Sequence, residues 1–274
     1  MMIAIADAGG TKTDWRIINN GVISQFVSAG FNASTDALEA LKLSIPQEIN
    51  EIEFDEVHYY VAGVNEQNKE LLANQITDII SSKLVNIYPD TLAVARSLLN
   101  QSSGWVGILG TGSAAIHYDG TKLDDRKASL GYILGDEGSG VDLGRRFVSA
   151  YLRGKFDTHL TKQVKEHFPE FTEVQVLNEV YQNGAVKSYL GQFASFIGQN
   201  QSQPTIFHLV EKAFHNYFEG YFGNNLPQEI SFSGSIAFNF GNILNAVAKS
   251  KSIRIKRIIQ SPIAGLTLYH QNHV

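Results

Sequence analysis

Cysteine is absent from the 274 residues. That excludes disulfides, thiolate zinc sites, cysteine-ligated iron–sulfur clusters and a thiol nucleophile. Positive charge is also scarce. A net charge of -5 and a pI near 5.9 remove the footprint of a nucleic-acid binder or a polybasic membrane-surface protein, so any phosphate must be held by backbone and metal. No apolar run approaches the roughly 18 residues of a membrane span. In Met1–Asp7 the acid arrives too early for a signal-peptide core. A cytoplasmic protein with no membrane or nucleic-acid partner is expected. The eight histidines show neither H-x-x-x-H nor H-x-H spacing, so zinc is not indicated.

What is present suits two lobes. Hydrophobic residues make up 43% and charged residues 18%, enough for real cores, and the length accommodates two units of roughly 100 to 150 residues each. Residues 3–6 read as a buried strand that empties into Asp7-Ala8-Gly9-Gly10-Thr11. Residues 13–18 read as a second strand, and Asn20-Gly21 is a two-residue hairpin signal returning a third over 22–29. A helix follows, with Ala37, Leu38, Leu41 and Ile45 at helical spacing as far as Pro46. Then come a strand at 58–62, a helix at 68–84, a strand at 85–88 and a helix at 91–99. The order βββαβαβα fits a mixed sheet with helices on its faces.

The plan then repeats. Residues 105–109 are an apolar strand, Gly110-Thr111-Gly112-Ser113 is a glycine turn, 114–118 is a strand, and Asp119-Gly120 is a second hairpin signal. Helices dominate 139–224, followed by a strand at 230–232, a helix at 239–249, a strand at 253–255 and a final helix over 262–274. The expected domains are 1–103 and 104–274, the final helix packing back on the first lobe. Such a duplication could face two glycine turns across a cleft wide enough for a nucleoside triphosphate.

Each motif has a plainer alternative. In Asp7-Ala-Gly-Gly-Thr-Lys-Thr13 the glycines let backbone N–H groups approach a phosphate, and Asp7 could hold hydrated Mg²⁺; alternatively this is a hairpin-entry turn with an exposed acid. The turns lead into strands and lack G-x-x-x-x-G-K-[ST], so they are neither Walker A loops nor Rossmann fingerprints. Asp90, after a strand and before a helix, is a candidate general base or an ordinary N-cap. Gly135-Asp136-Glu137-Gly138-Ser139 is either an acidic helix start capped by Ser139 or Asp136, or a carboxylate aimed at sugar hydroxyls. Lys12 could touch phosphate or be solvated. Arg145-Arg146 reads as a solvated face.

Taken in order, Asp7-Ala-Gly-Gly-Thr-Lys-Thr13, Asn32, Asp90, Gly110-Thr-Gly-Ser113, Gly135-Asp-Glu-Gly-Ser139, Phe232-Ser-Gly-Ser235 and Ser261-Pro-Ile-Ala-Gly265 resemble the actin-like sugar-kinase superfamily. Within it the chain is most similar to the N-acetylglucosamine kinase branch, related to the BadF/BadG ATPases. The resemblance implies an α/β fold of two ribonuclease-H-like lobes around a central cleft. It also implies an ATP- and Mg²⁺-dependent kinase acting on an amino sugar such as N-acetylglucosamine, at the 6-hydroxyl. Gly9, Gly10, Thr11, Lys12, Thr111 and Gly112 would hold ATP phosphates, Gly234 and Ser235 would lie on the adenosine side, and Asp7 would serve the metal. Asn32, Asp90 and Asp136 would bind the sugar, with Asp90 as catalytic base. A homodimer is left open.

The chain departs from such members at the sugar wall. Ala114 stands where an asparagine is common, and Ser129-Leu130-Gly131 replaces Gly-Trp-Gly. Each hydrogen bond to a sugar contributes to discrimination, so the identity of the sugar stays open. Among rivals, an activator ATPase needs a cysteine-bound cluster, and a repressor needs a helix-turn-helix before the strand at Ile3. A catalytically weak sugar or muropeptide-binding ATPase or sensor of the same fold is the remaining alternative.

Overall fold

The structure is a computed structural model that describes residues 1–272. The chain divides into two compact units. Unit 1 comprises Met1–Gly104, Tyr118–Asp124 and the segment beginning at Ser261; unit 2 comprises Trp105–His117 and Asp125–Gln260.

Unit 1 is built on β1 (Met2–Ala8), β2 (Lys12–Asn19), β3 (Val22–Ala29), α1 (Leu38–Leu43), β4 (Phe54–Val61), α2 (Lys69–Thr77), β5 (Ser82–Pro89) and α3 (Asp90–Leu99). The sheet order is β3-β2-β1-β4-β5, with β1, β2 and β3 antiparallel and β1, β4 and β5 parallel. Asn20 at φ 48° and Gly21 at φ 84° make the β2–β3 turn, the left-handed pair that a two-residue hairpin needs. Trp15, Phe54, Tyr59 and Ile76 are fully buried in its core.

Helix α2 is shorter than the expected 68–84. It ends at Thr77, because Ser82 and Leu84 are claimed by the ladder to Phe54 and Glu56 of β4. Sheet pairing overrides local helical spacing there.

Unit 2 and its return contain β6 (Gly104–Leu109), β7 (Ser113–Tyr118), β8 (Leu123–Arg126), α4 (Gly131–Leu134), α5 (Gly140–Leu152), α6 (Thr158–His167), α7 (Glu173–Tyr181), α8 (Val186–Gly191), α9 (Phe193–Gln199), α10 (Pro204–Phe222), β9 (Glu229–Ser233), α11 (Ser235–Asn239), α12 (Gly241–Ser250), β10 (Arg254–Ile259) and α13 (Ile263–Gln271). Its sheet order, β10-β9-β6-β7-β8, is the plan of the first sheet with strands in equivalent places. An aromatic core joins Phe147, Phe193, Phe214, Tyr217, Phe218 and Phe232. The Asp119-Gly120 signal becomes a longer turn: Asp119 N donates to Lys122 O at 3.0 Å, and Asp119 Oδ1 accepts from Thr121 N and Lys122 N. Gly120, at φ 106°, lies against the Gln101 carbonyl, and this hairpin groups with unit 1.

Of the expected final helix, residues 273 and 274 lie outside the described residues. The described part, α13, packs on α3 so closely that a Cβ on Gly265 would stand 2.5 Å from Ser97 O. Tyr60 Oη is 2.9 Å from His270 Nε2 and accepts from Arg96 at 2.7 Å. Among the described residues no helix is long and apolar enough to cross a membrane.

His58 stacks 4.0 Å from the His270 ring in this aromatic cluster, also facing Tyr88, with Nε2 3.0 Å from Glu56. Burial, reinforced by the Arg96 guanidinium, pushes its imidazole down from 6.5 to about 4. The partly solvated Glu56 carboxylate does not offset burial. As pH falls from 6.5 to 4 the unfolded chain takes up a proton that the native state refuses, so stability is lost across that window, by about 3 kcal/mol at most. Urea midpoints measured across the same window should fall less steeply for His58→Gln than for the parent protein. Equal slopes would refute this role for His58.

Candidate functional site

In unit 1 the parallel register sets Ala8 level with Val61, and Val61 level with Pro89. Asp7 and Asp90 therefore sit at neighbouring ends of the sheet, roughly 10 Å apart as two strand spacings. Pro89 occupies the N-cap of α3 with φ -66° and ψ 145°, so Asp90 is the first helical residue and not the cap. Its Oδ1 accepts from Thr91 N at 2.8 Å.

Asp7 is half-buried beside an exposed turn. Burial first, then the charges of Asp90 and Asp14, push its carboxyl up to about 7, with Lys12 pulling the other way. Three carboxylates against one lysine leave this end of the sheet short of positive charge, which fits a divalent cation or a lysine brought closer. Among the described residues no group of three or more His, Cys, Asp or Glu is arranged to hold a metal. A hydrated Mg²⁺ that leans on one carboxylate and phosphate oxygens needs no such group.

The first glycine turn is closed by Gly9 N donating to Lys12 O and Phe31 N to Gly9 O, each at 3.0 Å. The N–H groups of Gly10 and Thr11 make no hydrogen bond among the described residues, and both residues are exposed. Lys12 pairs with the buried Asp14 at 2.7 Å. Asn32 bridges to Ala62 beside β4, and its Oδ1 accepts from Ser34 N and Oγ.

In unit 2 the second turn has the same character. Gly110 N donates to Gly112 O at 3.0 Å, and the Gly110 and Thr111 carbonyls accept from Gly140 N and Val141 N at the start of α5. Thr111 N and Gly112 N are left without a partner among the described residues. Gly234 lies against this turn at φ 121°, where a Cβ would stand 2.2 Å from Leu109 O, and Ser235 beside it is exposed. Asp136, at φ 55°, is buried and accepts from Ser113 N at 3.1 Å. Ser139, not Asp136, caps α5 through Asp142 N. Arg145 and Arg146 pair with the buried Asp142 at 2.5 and 2.8 Å, so they are not simply a solvated face. Leu130 is exposed, and the Ser129 hydroxyl donates to Ser113 O at 3.3 Å.

Sequence reading missed Gly30, whose Cα presses on the first turn, and Tyr217 and Tyr221, which support the second. Two tyrosines one helical turn apart in an apolar helix were the available signal, since buried phenols seek acceptors. The surface hollows of about 350 Å³ along β5 and about 520 Å³ beside α1 contain none of these site residues.

No family model matches the chain. It is 31% identical to a solved candidate N-acetylglucosamine kinase from Porphyromonas gingivalis, with TM-score 0.90 and 100% of both chains covered. A ROK-family glucokinase from Streptomyces griseus, solved with glucose and AMPPNP, is 16% identical with TM-score 0.61 over 99% of each chain. A Clostridium acetobutylicum N-acetylmuramic acid/N-acetylglucosamine kinase is 23% identical over 209 residues, 70% of this chain and 68% of that one. The fold, two mixed sheets of one plan with flanking helices, is that of the actin-like sugar kinases. The chain belongs to the N-acetylglucosamine kinase-like branch of that superfamily and is a sugar kinase, a phosphotransferase with an alcohol group as acceptor.

Proposed function

We propose that the protein transfers the γ-phosphoryl group of ATP to the 6-hydroxyl of an amino sugar such as N-acetylglucosamine. The observation that carries this reading is the placement of Asp7 and Asp90 at the same end of one sheet, two strands apart across β4, close enough for the Asp90 charge to act on Asp7. Asp90 accepts the proton of the sugar hydroxyl as its oxygen bonds to the γ-phosphorus and the bond to ADP breaks. Asn32 and Asp136 hydrogen-bond the sugar. The free N–H groups of Gly10 and Thr11 in unit 1, and of Thr111 and Gly112 in unit 2, are suited to phosphate oxygens, with Lys12 beside the first set. Gly234 and Ser235 are assigned to the adenosine side. Mg²⁺, held through Asp7, would neutralise charge on the phosphoryl group.

One observation favours the rival reading of a weakly catalytic sugar or muropeptide sensor. The Asp136 carboxylate is engaged by Ser113, and Ala114 and Leu130 stand where the resemblance leads one to expect an asparagine and a tryptophan. ADP release with MgATP against N-acetylglucosamine, glucosamine, N-acetylmannosamine, N-acetylmuramic acid and glucose separates the two. Amino-sugar-dependent turnover, with NMR placing phosphate on O6, is expected. Sugar binding without ADP release would favour the sensor.

A further inference from the structure

Helix α10 turns one face toward the second glycine turn. Tyr221 donates its phenolic proton to Ser113 O at 2.7 Å, and Tyr217 donates to Ala114 O at 2.8 Å. Tyr221 Oη is also 2.9 Å from Ser113 Oγ. A phenol has one proton, and here it goes to the carbonyl, so the Ser113 hydroxyl is the donor in that second bond. Ser129 adds a longer bond to the same carbonyl, and Ser113 N donates to Asp136 Oδ1 at 3.1 Å. Every polar atom of Ser113 is thus committed.

Asp136 needs such an anchor. It is a non-glycine residue in the left-handed region, a conformation that persists only where its surroundings over-determine it. Its carboxylate oxygens lie 3.2 and 3.3 Å from where a Cβ on Gly112 would stand, so a side chain there would push the carboxylate aside by a few tenths of an ångström. Glu137 lies alongside α10 at Gly220, its carboxylate 3.4 Å from where a Cβ there would stand, an ordinary contact.

We propose that Tyr221 is a positioning residue of the kinase reaction: its phenol fixes Ser113, and the Ser113 N–H fixes the direction in which the Asp136 carboxylate meets the sugar. This rests on the assignment of Asp136 to the sugar. The network draws its hydroxyls from Ser113 of β7, Ser129 of the loop before α4, and Tyr221 of α10.

The test is steady-state kinetics of Tyr221→Phe and Ser113→Ala with MgATP and the sugar that the parent enzyme turns over. Tyr59→Phe is the control, because it removes a buried bond of the same kind, 2.8 Å to Ser44 Oγ in unit 1. Tyr221→Phe should raise the sugar KM about five- to tenfold while leaving the MgATP KM within about twofold. Ser113→Ala should do the same more weakly, and the double variant should be no worse than Tyr221→Phe alone, as expected for one shared network. Tyr59→Phe should lower Tm by a similar amount with the sugar KM unchanged. An unchanged sugar KM in both site variants, or an equal rise of the sugar KM in Tyr59→Phe at the same Tm loss, overturns the proposal while the kinase reading stands. A parent enzyme without sugar-dependent turnover overturns the kinase reading and this proposal together.

Discussion

Replacing Asp90 by Asn should lower kcat by about 10²- to 10⁴-fold, the contribution of a positioned base in a reaction dominated otherwise by alignment and electrostatics. The substitution is nearly isosteric. Asparagine keeps an Oδ1 able to accept from Thr91 N, so the first turn of α3 should survive intact. The sugar KM should change little, since the amide still reaches the hydroxyl. Removing the Asp90 charge also removes one of the two acids that raise the Asp7 carboxyl, so the variant should bind MgATP at least as well as the parent. Stopped-flow phosphoryl transfer together with calorimetric MgATP binding measures both effects. Turnover within about threefold of the parent would remove Asp90 from the base role and leave only its place at the start of α3.

Gly30→Ala should be nearly as damaging, by a different route. A Cβ there would stand 2.5 Å from both Gly10 C and Thr11 N and 2.6 Å from Gly9 O, all of them backbone atoms. Backbone cannot swing aside as a side chain can, so the first turn itself must shift. Displacing reacting groups by about an ångström costs on the order of a hundredfold in rate, and that loss is expected in kcat/KM for MgATP. Overpacking should add a stability cost of about 1 to 3 kcal/mol, visible in urea unfolding. Gly10→Ala is the informative companion, because its Cβ position is open. If both variants keep parental kcat/KM, the first turn is not the seat of the phosphates.

Much of this was legible in the residues, for identifiable reasons. Asn20-Gly21 announces its hairpin because few other pairs tolerate two positive φ angles. The two glycine turns repeat because the two sheets repeat. Asp90 could be placed after a strand and before a helix, yet sequence could not say whether it was cap or first helical residue; the preceding proline settles that by taking the extended cap conformation. The end of α2 was misread because Ser82 and Leu84 answer to strand β4, nearly thirty residues upstream, and local spacing carries no trace of that. Asp136 reads either as a helix cap or as a carboxylate aimed at sugar hydroxyls. Its bond to Ser113 N and the tyrosines beneath depend on α10, more than eighty residues downstream in sequence. Residues that support a site from a distance, such as Tyr217 and Tyr221, mark only their own helix and not the turn they serve, whereas turns that shape a site carry their signal in place.

The return of α13 to the first unit has a consequence for synthesis. Chains tend to acquire structure from the amino end as they leave the ribosome. Here the earlier unit lacks one of its own walls until the whole of the later unit has been translated. Leu266 and Thr267 of α13 are buried, and Gly265 rests on the Ser97 backbone. A nascent chain halted after β5 and α3 would present that bare surface to chaperones. A fragment ending near residue 104 should therefore be prone to aggregate, and supplying α13 as a separate peptide should rescue its solubility.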